Sequence, residues 1–415
     1  MAHASNRGHI FAMYSGGCTV IKQNKQLRVV LMGMMGSTPF AGVAWQVIHY
    51  IEGFRRLGCD VYYVEDTGTW PYDPEANTIT DDCGYTVDYL ARLMNWCGMG
   101  DRWVYRAASQ GYRVFGLSQI ELSQVIARAD VLVNLTGSTL LRDEHLRVPI
   151  RIYLETDPVL PQIEIAKGHK STIDLLSAHT HHFSYGENFG APDCGVPIER
   201  FHYQPTRQPI VLEWWPDSQT SRGAAASTTF TTIANWEQSG KEIEWDGESY
   251  TWSKHIEFLK FIDLPRRTPQ LFELALAIGD TAAVALLESS GWRITDALLL
   301  SRDFLRYRDY ILSSRGEFTV AKDQNIRLRS GWFSDRSACY LAAGRPVITQ
   351  DTGFGNIIPT GRGLFAFKTM GDILAALDAI MTDYEGHARA AREIAAEYFA
   401  AERVVASLLG RVGVS

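Results

Sequence analysis

Ser334, Asp335, Arg336 and Ser337 stand in consecutive positions at the opening of "SDRSACYLAAGRPVITQDTGF", and Asp351, Thr352 and Gly353 stand in the loop that ends it. Ser334 or Asp335 can cap a helix running through Ala343; Gly344 can terminate it, and Pro346 prevents its continuation. A helix start carries free N–H groups and the positive end of the helix dipole. Joined by two serine hydroxyls and the fork-shaped guanidinium of Arg336, it suits a diphosphate. Val347 to Thr349 then reads as a strand, and the carboxylate, hydroxyl and amides of Asp351, Thr352 and Gly353 suit the hydroxyls of a sugar. Ordinary helix capping with a surface arginine accounts for the same residues equally well.

Other residues invite the same weighing. Glu155 and Asp157, in "ETDP", fall at a strand end, where one could be the general base for an acceptor hydroxyl or both could cap the turn before Pro158. Glu317 and Lys322 flank another strand end; they read as a phosphate contact or as a surface ion pair. "HTHHF" (His179 to Phe183) offers histidines with no third ligand at metal spacing, so no metal site is expected. Trp45, Trp70, Trp103, Trp214 and Trp215 could line an apolar acceptor pocket or simply pack.

The elements that must position these groups alternate. Leu27 to Gly36 is an apolar strand entering a glycine turn, and Gly42 to Gly58 carries apolar residues at helical spacing with Gly58 as terminator. Cys59 to Asp66 is a second strand, completing a βαβ unit of a parallel sheet. Ala129 to Gly137, Ile150 to Pro158 and His181 to Gly190 are strands that end in polar loops. Pro205 to Thr228, rich in Pro, Ser, Thr and Ala, contains a linker. Beyond it Phe230 to Trp236 is a strand, Ser253 to Pro265 and Pro269 to Ile278 are helices, Trp292 to Leu300 mixes strand and loop, and Phe304 to Ala321 is a helix followed by a strand. The C-terminal part is helical, with a break near Tyr384 to Gly386.

The expected division is a leader over 1–24, an α/β domain over 25–215, a linker over 216–228, a second α/β domain over 229–395, and a C-terminal helix over 396–415 that packs back toward the first domain. Ligands of such sheets bind beyond the carboxyl ends of the strands.

Composition fits this picture. The 415 residues exceed one ordinary core, and 46% apolar with 21% charged residues is globular. A net charge of -7 provides no overall field for nucleic acid or anionic membrane. Six scattered cysteines with no CxxC pair read as reduced thiols of a cytoplasmic protein. The first residues lack the charged start and apolar run of a signal peptide, and no segment has the apolar length of a membrane span.

"SDRSACYLAAGRPVITQDTGFGNIIPTGRGLFAF" resembles the donor-binding region of GT-B glycosyltransferases, and "GMMGSTPFAGVAWQVIHYIEGFRRLGCDVYYVED" is similar to that superfamily's first β–α–β unit. The resemblance implies two Rossmann-like domains facing a central cleft and metal-independent transfer of a hexose from a nucleoside diphosphate sugar to a small-molecule or glycan acceptor. It implies no bound cofactor, a homodimer is compatible with it, and the net charge of -7 argues against a nucleic-acid partner. The second domain would hold the sugar donor through Lys254, Glu317, Lys322, Ser334 to Ser337 and Asp351 to Gly353, Lys254 being preferred over Lys241 as the early basic residue. A solvated Lys254 is nearly as good a reading. The first domain would hold the acceptor through Ser37, Thr38 and Trp45, with Asp157 or Glu155 as base. The chain departs from the pattern at Gly331 and Cys339, where members of one group have glutamates, and after its first strand, where another group has a histidine. Nucleotide-sugar epimerisation, or binding without catalysis, are the alternatives.

Overall fold

The computed structural model describes residues 26–216, 228–238 and 240–414. The expected leader 1–24 and residues 217–227 of the linker lie outside them.

The first sheet has eight strands: β1 (Arg28–Met32), β2 (Asp60–Glu65), β3 (Trp103–Ala107), β4 (Arg113–Gly116), β5 (Val131–Leu135), β6 (Ile150–Glu155), β7 (His181–Ser184) and β8 (Tyr203–Pro205). Their spatial order is β8-β7-β6-β5-β1-β2-β3-β4, and only the β3–β4 edge is antiparallel. The second sheet has six: β9 (Thr229–Asn235), β10 (Leu271–Ala277), β11 (Arg293–Asp296), β12 (Gly316–Thr319), β13 (Val347–Gln350) and β14 (Leu364–Phe367). All its pairs are parallel, in the order β11-β10-β9-β12-β13-β14. Strand order reverses between β1 and β5 in one sheet and between β9 and β12 in the other. At such reversals the crossover helices diverge to opposite faces and leave a crevice at the carboxyl ends.

Six helices matter for the site: α1 (Ala41–Arg56), α2 (His255–Leu259), α3 (Phe304–Leu312), α4 (Asp335–Ala342), α5 (Tyr384–Ile394) and α6 (Ala401–Arg411). Helix α1 buries Trp45, Val47, Ile48, Ile51 and Phe54. Each such side chain contributes roughly 1.5–3 kcal/mol. Gly58, at φ +79°, ends the segment in the left-handed conformation that glycine adopts without strain. After α5 a π-helical turn, Ala395–Phe399, and the extended Ala400 redirect the chain, so that α6 crosses α1. The approach is close: a Cβ on Gly53 would lie 2.8 Å from Val405. Ala401 N–H donates to the Ile210 carbonyl (2.9 Å), and Ile210 N–H donates to that of Phe399 (2.6 Å). One apolar cluster therefore runs through both domains, including Trp45 and Trp215 with Phe304, Phe333 and Tyr340.

Three elements differ from the sequence expectation. Pro269 to Ile278 is not a helix; it contains strand β10, hydrogen-bonded on both sides. A short apolar run buried in a parallel sheet carries no alternation to distinguish it from a helix. Trp292 to Leu300 is a strand followed by a helical turn, Ala297–Ser301, which Asp296 caps by accepting from Leu298 N–H. Ser253 to Pro265 holds only the short α2 and then a 3-10 turn at Leu264–Arg266.

Candidate functional site

A cavity of about 520 Å³ opens between the two sheets at the carboxyl ends of their strands. Thr38, from the β1–α1 turn, lines its first-domain side together with Trp45, Gln46 and His49 of α1 and Thr156 and Asp157 beyond β6. The second domain contributes Ile233 to Asn235 of β9, Lys254, Lys322 beyond β12, and Ser334 to Arg336 at the start of α4. Of the residues singled out in the sequence, Thr38, Trp45, Asp157, Lys254, Lys322, Ser334, Asp335 and Arg336 meet at this cavity. Ser37, Glu155, Glu317, Ser337, Asp351, Thr352 and Gly353 do not line it.

The β1–α1 turn is wound around a buried carboxylate. Gly36 N–H and Ser37 N–H donate to the two oxygens of Glu65 (2.7 and 2.5 Å), Ser37 Oγ donates to one of them (2.5 Å), and Tyr63 Oη donates to the other (2.7 Å). Ser37 thus holds the turn that presents Thr38. Trp45 is buried and donates through Nε1 to the Phe304 carbonyl (2.8 Å), so it forms a wall of the cavity and ties α1 to α3.

At the start of α4, Ser334 is the N-cap residue, but its side chain makes no capping hydrogen bond. Its carbonyl accepts from Gln208 Nε2 (2.9 Å). The N–H groups that an anion would take are therefore not occupied by the side chain of the N-cap residue. Asp335 Oδ2 accepts from Gln46 Nε2 (2.7 Å), while Oδ1 is buried with no hydrogen-bond partner. Burial pushes this carboxyl up to about 7, against the pull of the Gln46 hydrogen bond; the charge of Asp157 adds to the rise. Ser337 is fully buried, and its hydroxyl also lacks a partner.

Arg336 turns inward. Nε donates to Glu317 Oε1 (2.5 Å), Nη1 to the Ile233 carbonyl (2.5 Å) and Nη2 to Thr319 Oγ1 (2.9 Å). Glu317 lies wholly beneath it. Lys322 reaches across the cleft, donating from Nζ to both oxygens of Asp157 (2.7 and 2.6 Å) while resting 3.2 Å from the centre of the Trp252 ring. Lys254 is different: among the described residues its ammonium has no carboxylate within salt-bridge distance, and its nearest described aromatic partner is Trp332, 5.7 Å from the ring centre. Burial, reinforced by the charges of Arg336 and Lys322, holds its pKa well below the ordinary lysine value.

Glu155 sits behind this layer. Gln162 Nε2 donates to both its oxygens (2.9 Å each) and Ser184 Oγ to one (2.6 Å). Burial, with a contribution from Asp157, pushes it up to about 7. It braces the strand end that carries Asp157.

Asp351 to Gly353 lie at a separate junction of the two domains. Asp351 pairs with Arg329 (3.0 Å) and Lys368 (3.3 Å), and Arg329 also pairs with Asp193 of the first domain (2.7 Å). Asn188 Nδ2 donates to the Arg329 carbonyl (2.8 Å), and Asn356 Nδ2 donates to Asn188 Oδ1 (2.9 Å). Thr352 Oγ1 donates to the Trp332 carbonyl (2.6 Å). This junction also explains Gly331: at φ +82°, a Cβ there would lie 2.4 Å from the Asn188 nitrogen, so no glutamate fits. Cys339 does line the cavity, near the charges of Glu317 and Asp335 that, after burial, keep its thiol protonated. A carboxylate there would add a third buried acid.

Gln46 and His49 carry no motif; their only signal is that they share the Trp45 face of α1. His49 Nδ1 accepts from Val211 N–H (3.0 Å), and burial followed by the charge of Arg56 pushes it down to about 3, so it is neutral. One group of metal-ligand types is drawn together among the described residues, Asp66, Glu144 and His145, away from the cavity. Arg106 and Arg142 already neutralise it through ion pairs of 2.7–2.9 Å.

No protein-family model and no curated protein sequence matches the chain. Solved structures do. HepE of Anabaena in complex with UDP and glucose superposes with a TM-score of 0.53 at 10% identity, over 93% of this chain and 99% of that one. An alpha-glucosyltransferase in complex with UDP and a 13-mer DNA gives 0.56 at 10% identity, over 94% and 99%. Sucrose-phosphate synthase of Thermosynechococcus elongatus gives 0.52 at 12% identity, over 93% and 98%. At such identities the likeness is one of fold, and it spans both domains and the cleft. With its two mainly parallel sheets turned carboxyl end toward carboxyl end, the chain has the GT-B glycosyltransferase fold.

Proposed function

We propose that the protein is a glycosyltransferase that moves a hexose from a nucleoside diphosphate sugar, of the UDP type, to an acceptor hydroxyl. The observation that carries this reading is Lys254, an ammonium with no carboxylate partner among the described residues, in a cavity shared with the uncapped start of α4. A diphosphate satisfies both. The bound UDP and UDP-glucose of the structural neighbours support a uridine nucleotide. Thr38 and Trp45 would face the acceptor, and Asp157 would be the base. In the step itself the acceptor oxygen bonds to the anomeric carbon while the bond from that carbon to the diphosphate oxygen breaks. The bonding pair leaves with the diphosphate, and the hydroxyl proton passes to Asp157. Lys254, Lys322 and the helix start stabilise the departing charge, so this reading needs no divalent metal.

The five described cysteines are free thiols, and no described helix is long and apolar enough to cross a membrane. A cytoplasmic setting is part of the same proposal. A thermal-shift screen with UDP, ADP, GDP and their glucose conjugates tests the reading. A ligand present at about 100 times its Kd adds about 2.7 kcal/mol of stability. Uridine nucleotides should raise the midpoint, and the same protein should consume the sugar donor in an acceptor-dependent, EDTA-insensitive way. If no nucleoside diphosphate shifts the midpoint, the proposal fails.

A further inference from the structure

We propose that Lys322 masks Asp157 in the empty enzyme, and that the diphosphate of the sugar donor uncovers Asp157 by drawing the lysine away. The inference rests on the glycosyltransferase reading and adds an order of events to it.

The geometry carries the argument. Asp157 belongs to the first domain, beyond β6, and Lys322 to the second, beyond β12, yet the lysine donates to both carboxylate oxygens at 2.6–2.7 Å. Both residues line the one cavity. Both carboxylate oxygens already accept from the ammonium, so an acceptor hydroxyl must compete with Lys322 for them. The lysine also lies over Trp252, whose face supports the cation without consuming its N–H donors. Its side chain is almost fully buried, while that of Asp157 is 39% exposed. The aspartate can therefore remain solvated when the lysine turns to another anion, whereas the lysine always needs one. A diphosphate entering beside Lys254 is that anion, and it carries more charge than one carboxylate.

Two consequences follow. The acceptor hydroxyl meets an unmasked base only after the sugar donor is bound, which disfavours productive acceptor binding to the empty enzyme. The carboxylate also competes with the diphosphate for Lys322, so it weakens binding of the sugar donor.

The competition is directly measurable with UDP as probe, by calorimetric titration of the full chain. Asp157→Asn should bind UDP about three- to tenfold more tightly than wild type, the range expected for releasing an ion pair that is open to solvent on its aspartate side. Lys322→Met should bind it more weakly, and adding Asp157→Asn to Lys322→Met should bring no gain. A merely structural role for Asp157 would give the same effect in both backgrounds. If wild type binds UDP and Asp157→Asn binds it equally or less tightly, the masking idea is wrong and the glycosyltransferase reading stands. A gain that persists without Lys322 also overturns it. If neither wild type nor Asp157→Asn binds any nucleoside diphosphate, both fall together.

Discussion

Gln46 of α1 donates to Asp335 of α4 across the cleft at 2.7 Å, and the other oxygen of that carboxyl is buried without a partner. The two residues are 289 positions apart in the chain. The contact places an acid on the first turn of the helix proposed to receive a diphosphate. Such an acid is tolerable there when protonated and repulsive when ionised. Its elevated pKa, about 7 through burial, is what allows the protonated form at neutral pH.

Asp335→Asn should therefore change how stability varies with pH. A carboxyl that ionises near 7 when folded and near about 4 when unfolded contributes stability fully below about pH 4, and loses it as pH rises through 7. Asparagine keeps an acceptor for Gln46 and removes the titration. Relative to wild type, the variant should gain on the order of 2 kcal/mol between pH 5 and pH 8. Denaturant unfolding at the two values checks this. A difference that stays flat would mean that Asp335 does not titrate in this range.

Glu155 tests the line between bracing and catalysis. Gln162 and Ser184 both donate to it in a buried place. Glu155→Ala should cost about 1–3 kcal/mol by orphaning those donors. Glu155→Gln should retain UDP affinity, because the residue does not line the cavity. Turnover falling more than a hundredfold in Glu155→Gln, with stability unchanged, would restore it as the base.

Arg336 lines the cavity, and its bonds to Glu317, Ile233 and Thr319 tie it into the cavity floor. Truncating it strands Glu317, which is fully buried and already has one oxygen without a partner. Arg336→Ala should lose about 3–5 kcal/mol of stability, the scale for breaking one side of a buried ion pair. Glu317→Gln in the same chain should recover part of that loss. Denaturant midpoints of the single and double variants decide it; a destabilisation below about 1 kcal/mol would contradict the buried pairing.

The parts of this molecule that were legible in its sequence depend on neighbours in the chain. The β1–α1–β2 unit shows itself because an apolar run, a helical stripe and Gly58 act locally. Strand β10 hides because its less buried face also carries apolar residues, Leu271, Ala275 and Ala277, so the run shows little alternation. The cluster Ser334 to Ser337 is visible, but the direction of each side chain is not. Arg336 follows Glu317 and Thr319 on β12, and Asp335 follows Gln46 on α1. Lys322 and Asp157, 165 positions apart, carry no spacing that links them. Gly331 looks like a missing acid in the sequence; the Asn188 backbone pressed against it comes from the other domain.

Lys254 provides the sharpest separation of folding from function. An ammonium buried near Arg336 and Lys322 is unfavourable to the empty protein, and its depressed pKa records that penalty. For a lysine of this kind the cost builds as pH falls below the unfolded value of about 10.4, where the unfolded chain binds the proton and the folded one does not, and it levels off below the folded value. Lys254→Met preserves the length of the side chain and removes the charge. The empty variant should be at least as stable as wild type at pH 7, with an advantage that shrinks as pH rises from the lysine's folded pKa toward about 10.4. Its affinity for UDP should nevertheless fall by about tenfold or more, the worth of a hydrogen bond between charged groups. Thermal midpoints without ligand and calorimetric titration with UDP supply the two halves of the test. Loss of stability together with unchanged UDP binding would mean that Lys254 is a structural lysine, and that the diphosphate, if one binds, docks elsewhere in the cleft.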